Sequence, residues 1–281
     1  MTKWAMVIDI AKCIACYNCF IACKDEFWEN DYPPYSVSIQ KHGQDFITLK
    51  KKEGGKYPHI KVVYMPILCM HCDNPPCVEA AKNGAVYKRE DGIVIIDPVK
   101  AKGQKQIVEA CPYNVVTWNE EKQLPQICTF CVHRLEKGLL PRCVEACPAG
   151  ALIFGDLDDP NSEVSKIIKS GKAEVYRPEL NTKPRVYYLN LHLMTKCFIA
   201  GSVAFKDTDE CAENVKVTLV DGETGETKTV NTDFFGTFEF NGLSPNREYT
   251  IKLEYPGYKP KEIKVLLEKD TYLGYIFLEK A

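Results

Sequence analysis

From Phe198 onward apolar and polar positions alternate with period two. Val215, Val217 and Leu219 are interleaved with Lys216 and Thr218, and Tyr249, Ile251, Leu253 and Tyr255 follow the same rule. Successive side chains on a strand point to opposite faces, so this pattern predicts half-buried strands. Seven are expected, over residues 199–205, 215–220, 227–230, 237–240, 249–255, 262–267 and 272–278. Turn signals at Asp221-Gly222, Phe235-Gly236, Asn241-Gly242 and Pro256-Gly257 separate them at sandwich-like intervals. The expectation for residues 198–281 is a small antiparallel β-sandwich, its aromatic residues forming the core rather than a ligand cage.

Upstream the pattern is different. Residues 4–10 read as a strand, 20–27 have helical spacing, and a helical stretch at 142–146 leads into a strand at 151–154. Three hairpins are expected between them: 46–52 with 59–65 through Gly54-Gly55, 85–89 with 92–97 around Glu90-Asp91-Gly92, and 115–118 with 123–127. Residues 102–110 are expected to be helical, as are 162–168, capped near Ser162 and stopped by Gly171. Residues 30–66 form an insertion, either a protective flap or a partner-facing surface. Residues 156–197 read as a linker wrapping over its own domain. The predicted organisation is α+β: one domain over 1–155, the linker, and the sandwich over 198–281.

Cysteine usage changes at the same boundary. Twelve of the fourteen cysteines lie between Cys13 and Cys147, in three groups. Cys13, Cys16, Cys19 and Cys23 form a C-x2-C-x2-C-x3-C run, the bacterial ferredoxin spacing for cubane iron–sulfur clusters. Cys69, Cys72 and Cys77 are followed by Cys111 in a Cys-Pro step, and Cys128, Cys131 and Cys143 by Cys147 in another. Zinc is the main rival for C-x2-C pairs, but it favours two separated pairs closing a tetrahedron over four thiolates on one short segment. Disulfides are the other rival, and a chain of 281 residues does not need them for want of a core. His71, between two ligand cysteines, is expected to pack beside the site without ligating. Cys197 and Cys211 fit no cluster spacing and are expected to be free thiols.

A formal net charge of −2 with dispersed Lys and Arg gives no field that would gather nucleic acid. No apolar run approaches the ~20 residues that span a bilayer. The N-terminus shows no export signal, so the expected location is the cytoplasm.

In ferredoxin folds the fourth cysteine of each run ligates the cluster of the other half. That rule pairs Cys13, Cys16 and Cys19 with Cys147; Cys128, Cys131 and Cys143 with Cys23; and Cys69, Cys72 and Cys77 with Cys111. Three 4Fe-4S clusters are then expected, in a duplicated ferredoxin-like domain with a hairpin insertion.

The segment 128–152, CTFCVHRLEKGLLPRCVEACPAGAL, and the segment 69–80, CMHCDNPPCVEA, resemble the iron–sulfur subunits of molybdopterin oxidoreductases of the dimethyl sulfoxide reductase family. Those subunits carry four cysteine groups and four clusters. Here Ala81 stands where the second group would have its fourth cysteine. Ala101, Gln104 and Ile107 replace three cysteines of the third, where Cys111 survives. The resemblance implies that these four positions are the complete ligand set of one deleted cluster, the one that in the family hands electrons to a membrane subunit. The C-terminal module resembles carboxypeptidase-regulatory or Cna-B domains. The full-chain pattern is similar to small subunits of polyhydroxybenzene transhydroxylases, with resorcinol hydroxylases and catechol dehydroxylases as near relatives.

The resemblance implies a non-catalytic electron-transfer subunit, with no catalytic residue of its own. Its large partner would hold a molybdenum bis-pterin guanine dinucleotide, in a heterodimer or higher assembly without nucleic acid or a membrane span. Co-export to the periplasm with a signal-bearing partner is the alternative location, and a freestanding polyferredoxin the alternative function.

Overall fold

In the computed structural model, which describes residues 2–281, the strand Trp4–Asp9 is an inner strand of a four-stranded sheet. The order is Leu152–Asp156, Trp4–Asp9, Val186–Leu189, Glu174–Val175. Met6 lies opposite Phe154 on the antiparallel side and opposite Val186 on the parallel side. Ala5, Met6, Val7 and Ile8 are all fully buried, so the sheet is covered on both faces. Ala5 and Val7 pack on Val164 of the helix Glu163–Lys169.

Residues 156–197 are therefore more than a connector: they supply that helix and two strands of the sheet. The strand Val186–Leu189 was not anticipated. A parallel neighbour needs a long crossover, and four residues with the pattern VYYL carry no period that reveals a partner almost 180 positions away. Ser162 stands at the helix N-cap without a side-chain cap bond.

Short helices and hairpins alternate through the rest of this unit, which comprises residues up to Lys51 and Tyr64–Leu191. The helices are Asn18–Phe27, Pro76–Ala80, Gln106–Glu109, Val132–Leu135 and Arg142–Glu145. The hairpins pair Val86–Lys88 with Val94–Ile96 and Thr117–Asn119 with Leu124–Gln126. The helix expected over 102–110 shrinks to Gln106–Glu109. Asp97 turns the chain first by accepting from the amides of Val99 and Lys100, and Gly103 then adopts φ +78°.

The insertion hairpin pairs Ile47–Lys56 with His59–Leu68, and its turn is at Tyr57-Pro58 rather than Gly54-Gly55. The glycines serve close packing instead: a Cβ on Gly54 would fall 2.3 Å from the Asp270 side chain. Its tip, Lys52–Val63, belongs with His192–Ala281 in the second unit. There Lys52 pairs with the buried Asp270 at 3.1 Å.

The second unit contains two sheets. One has the order Thr237–Leu243, Cys197–Phe205, Thr271–Leu278; the other Thr227–Asn231, Lys216–Asp221, Arg247–Glu254, Lys261–Leu267. Ile199, Val203, Phe238, Phe240 and Ile276 of the first share a core with Val217, Leu219, Ile251 and Leu253 of the second. The all-antiparallel expectation fails at one pairing. Cys197–Phe205 runs parallel to Thr271–Leu278, because the first and last strands are neighbours and everything between them acts as the crossover. Cys197 is buried, Cys211 is exposed, and both are free thiols.

Candidate iron–sulfur centre

The first C-x2-C loop of each cysteine group shares one backbone device. The residue before the second cysteine is left-handed in each: Ala15 at φ 55°, His71 at 45° and Phe130 at 50°. Such conformations are costly without glycine and persist where a site needs them. Here each turns its own amide toward the first cysteine of the loop. Phe130 N–H donates to Cys128 Sγ at 3.4 Å, and the amides of Ala15 and His71 do the same for Cys13 and Cys69. Amides aimed at sulfur favour the thiolate and suit a negatively charged cluster.

The loops bring twelve cysteines into three neighbourhoods. Burial pushes the Cys19 thiol up to about 11, and Cys147, Cys13 and Cys16 push it the same way. Burial raises Cys23 well above its ordinary value, with Cys128, Cys131 and Cys143 adding to the effect. Cys77 is pushed up to about 12 by burial, then by Cys111 and Cys72. Cys69 also feels Cys77 and Cys111. The sets thus gathered are Cys13, Cys16, Cys19, Cys147; Cys23, Cys128, Cys131, Cys143; and Cys69, Cys72, Cys77, Cys111.

The sets form a row. Cys19 acts on Cys23 and Cys143, and Cys128 acts on Cys69, so the set containing Cys23 stands between the other two. Cys16 is exposed at one end; Cys13, Cys77 and Cys147 are half-buried; the other eight are buried. Crowded, buried thiols resist ionisation, and coordination to a metal supplies the charge that removes their protons. The donor chemistry therefore fits clusters.

His71 is fully buried, its Nδ1 accepts from Val94 N at 3.1 Å, and its ring lies 3.8 Å from that of Phe130. Burial, then Lys88 and Arg185, hold its pKa well below the ordinary value, so the ring is neutral.

Around Ala101, Gln104 and Ile107 the interior is filled by ordinary side chains. Ala101 and Ile107 are fully buried, and Gln104 is 8% exposed. Gln104 accepts from Lys82 N at 2.8 Å and donates to Lys82 O at 3.3 Å and Lys100 O at 2.8 Å. It thereby staples the residue after Ala81 to the segment carrying Ala101. Gly103 precedes Gln104 with positive φ, as Ala15 precedes Cys16.

Spacing arguments missed the charged residues around Cys72: Lys88, Asp73 and Arg185 come from separate segments and converge only in the fold. An acidic residue directly after a ligand cysteine was the one available signal.

Residues 60–157 match the family model described as a 4Fe-4S dicluster domain, and residues 199–274 match a carboxypeptidase regulatory-like domain. Over 282 aligned positions, 99% of this chain and 100% of the relative, the sequence is 41% identical to the pyrogallol hydroxytransferase small subunit of Pelobacter acidigallici. The chain belongs to the iron–sulfur subunits of molybdopterin oxidoreductases. A tetrathionate reductase subunit of Salmonella typhimurium is 40% identical over 67% of this chain and 73% of its own length. A sulfite dehydrogenase subunit of Allochromatium vinosum is 38% identical over 67% and 83%. As a member of this family, the protein carries iron–sulfur clusters and transfers electrons within a multi-subunit enzyme. Among the described residues no helix is long and apolar enough to cross a membrane.

Proposed function

We propose that this chain is the three-cluster electron-transfer subunit of a molybdenum enzyme acting on polyhydroxybenzenes, transhydroxylase-like. The observation that carries the reading is a row of three four-thiol neighbourhoods, with Ala81 and the loop of Ala101, Gln104 and Ile107 standing where the family resemblance would put a fourth ligand set. The phenolic substrate class rests on the full-length similarity to the pyrogallol hydroxytransferase small subunit. Each neighbourhood would hold one 4Fe-4S cluster, which supplies one-electron storage and transfer. The chain's own residues hold the thiolates at fixed spacing, direct amides at them and exclude water.

The molybdenum bis-pterin guanine dinucleotide would sit in a large partner subunit. Ile14, Tyr17 and Ile21 are exposed apolar side chains on and beside the first ligand loop, around the exposed Cys16. An apolar patch beside the accessible end of the row supports docking of the partner there. If one phenol gains the hydroxyl that another loses, no net electrons leave, which suits a relay without an outward cluster. Residues 198–281 would brace the partner subunit, following residues 1–155 and the segment 156–197.

Iron and acid-labile sulfide counts test the reading. Three clusters predict about twelve irons per chain. About sixteen would overturn the deletion argument, and about eight the ligand sets. Purification without a large molybdenum-containing partner, with full activity as a free carrier, would favour the polyferredoxin alternative.

A further inference from the structure

Cations and hydroxyls are distributed unevenly around the three thiol sets. Beside Cys69, Cys72, Cys77 and Cys111 stands Lys88. Its Nζ donates to the carbonyl oxygens of Cys72 at 2.8 Å, Gly92 at 2.9 Å and His71 at 3.1 Å, and lies 2.9 Å from Asp73 Oδ1. An ammonium has three protons, so these acceptors fix the charge in place against the ligand loop. Arg185 Nε reaches the same Asp73 oxygen at 2.6 Å. Two cations share one carboxylate, leaving the loop with a net positive charge.

Thr182, on the segment that carries Arg185, packs against the same loop and is 3% exposed. Asn74 N–H donates to its carbonyl at 3.0 Å, Asp73 N–H donates to Lys183 O at 2.8 Å, and Tyr113 Oη lies 2.7 Å from Thr182 Oγ1. The single Tyr113 proton has two acceptors in reach, Thr182 Oγ1 at 2.7 Å and Tyr176 O at 3.4 Å, and when it goes to the nearer the Thr182 proton is left for Cys72 Sγ. Burial raises the Cys72 thiol, and the Thr182 hydroxyl and Lys88 oppose it.

The other sets are served differently. Glu26 and Arg134 face Cys131 with opposite charges. Around Cys13, Cys19 and Cys147 the donors to sulfur are backbone amides, such as Ala151 N–H at 3.3 Å from Cys147 Sγ.

A cluster becomes more negative when it takes up an electron. Fixed positive charge and hydrogen bonds to its sulfurs therefore raise its reduction potential. We propose that Lys88 and Thr182 raise the potential of the cluster held by Cys69, Cys72, Cys77 and Cys111, making it the most readily reduced of the three and the place where an electron rests. This deepens the electron-transfer reading and rests on it. The set stands at the end of the row away from Cys16, and the substituted positions adjoin it in sequence, Ala81 after Cys77 and Ile107 before Cys111.

The test is a dithionite titration of the whole complex followed by electron paramagnetic resonance, on the parent, Lys88→Met and Thr182→Val. Cys111→Ser identifies the signal of this set. In both variants its midpoint, the highest in the parent, falls, the equilibrium constant for one-electron reduction dropping about tenfold, or about 59 mV. The other two midpoints and the iron content keep their parent values, and Lys88→Arg and Thr182→Ser restore the parent midpoint. A variant with full iron and an unmoved midpoint overturns the proposal, as does a shift confined to another signal. Should Lys88→Met lose iron, Thr182→Val, which keeps the side-chain shape, decides alone. A parent complex with about eight irons would instead refute the three-cluster reading, and that count precedes any titration.

Discussion

Returning cysteine to the four substituted positions asks whether the loop at 101–107 still has ligand geometry. The variant carries Ala81→Cys, Ala101→Cys, Gln104→Cys and Ile107→Cys together. Its cost without metal can be worked from the contacts. Gln104 gives up its bonds to Lys82 N, Lys82 O and Lys100 O, and each of these part-buried backbone groups left unpaired costs up to about 1–3 kcal/mol. Ile107 is fully buried, and shortening it removes roughly two carbons at about 0.8 kcal/mol each. The sum, about 5–11 kcal/mol, is comparable to the whole stability of an ordinary domain. The cluster-free variant should therefore be barely folded, and coordination should restore it. Gly103 already holds the positive φ that Ala15 has before Cys16, which favours the ligand-loop turn. After anaerobic assembly with the partner, iron should rise by about four per chain with a fourth paramagnetic signal, while each single substitution leaves the count unchanged. A quadruple variant that assembles normally, melts like the parent and gains no iron would refute the deleted-cluster reasoning.

Three further outcomes are expected. Cys23→Ser should remove the signal of the set containing Cys128, Cys131 and Cys143 and spare that of Cys13, Cys16 and Cys19; the reverse pattern would break the crossover assignment. In the cluster-free chain burial pushes Cys77 and Cys128 up to about 12 and Cys19 to about 11, against about 9 when unfolded. The unfolded chain then loses protons first, so this stability is complete below about pH 9 and is lost as pH climbs from there toward 12. Urea midpoints between about pH 8 and 11 should fall, and a rise would contradict the burial argument. Ile251→Ala, at a fully buried core position of the second unit, should destabilise it by about 2–5 kcal/mol in chemical denaturation followed by far-ultraviolet dichroism, with iron content unchanged.

Elements whose chemistry is local were legible in the sequence. Alternation at Val215–Leu219 and Tyr249–Leu253 marks strands because neighbouring residues face opposite ways, and those residues do line the core of the second unit. The twelve cysteines were legible because loop geometry fixes their spacing. Less visible was whatever depends on a partner far along the chain. Val186–Leu189 is a strand because Trp4–Asp9 offers it an edge. Gly54-Gly55 imitates a turn signal, but the glycines answer to Asp270. The stretch 102–110 has helical composition, yet Asp97 and Gly103 bend the chain before a helix can begin. Lys88 lies on one segment and Thr182 and Arg185 on another, far apart in the chain, so only the fold reveals that they converge on the loop around Cys72.

The parallel pairing of Trp4–Asp9 with Val186–Leu189 also constrains the order of events during synthesis. The first strand leaves the ribosome early but remains an unsatisfied edge until residue 189 has been translated, after every cluster cysteine through Cys147 is already outside. Contacts of such sequence separation form late. The sheet of the first unit is therefore complete only when about two-thirds of the chain has been made, and thiols that emerge before it depend on a reducing surrounding to stay unpaired.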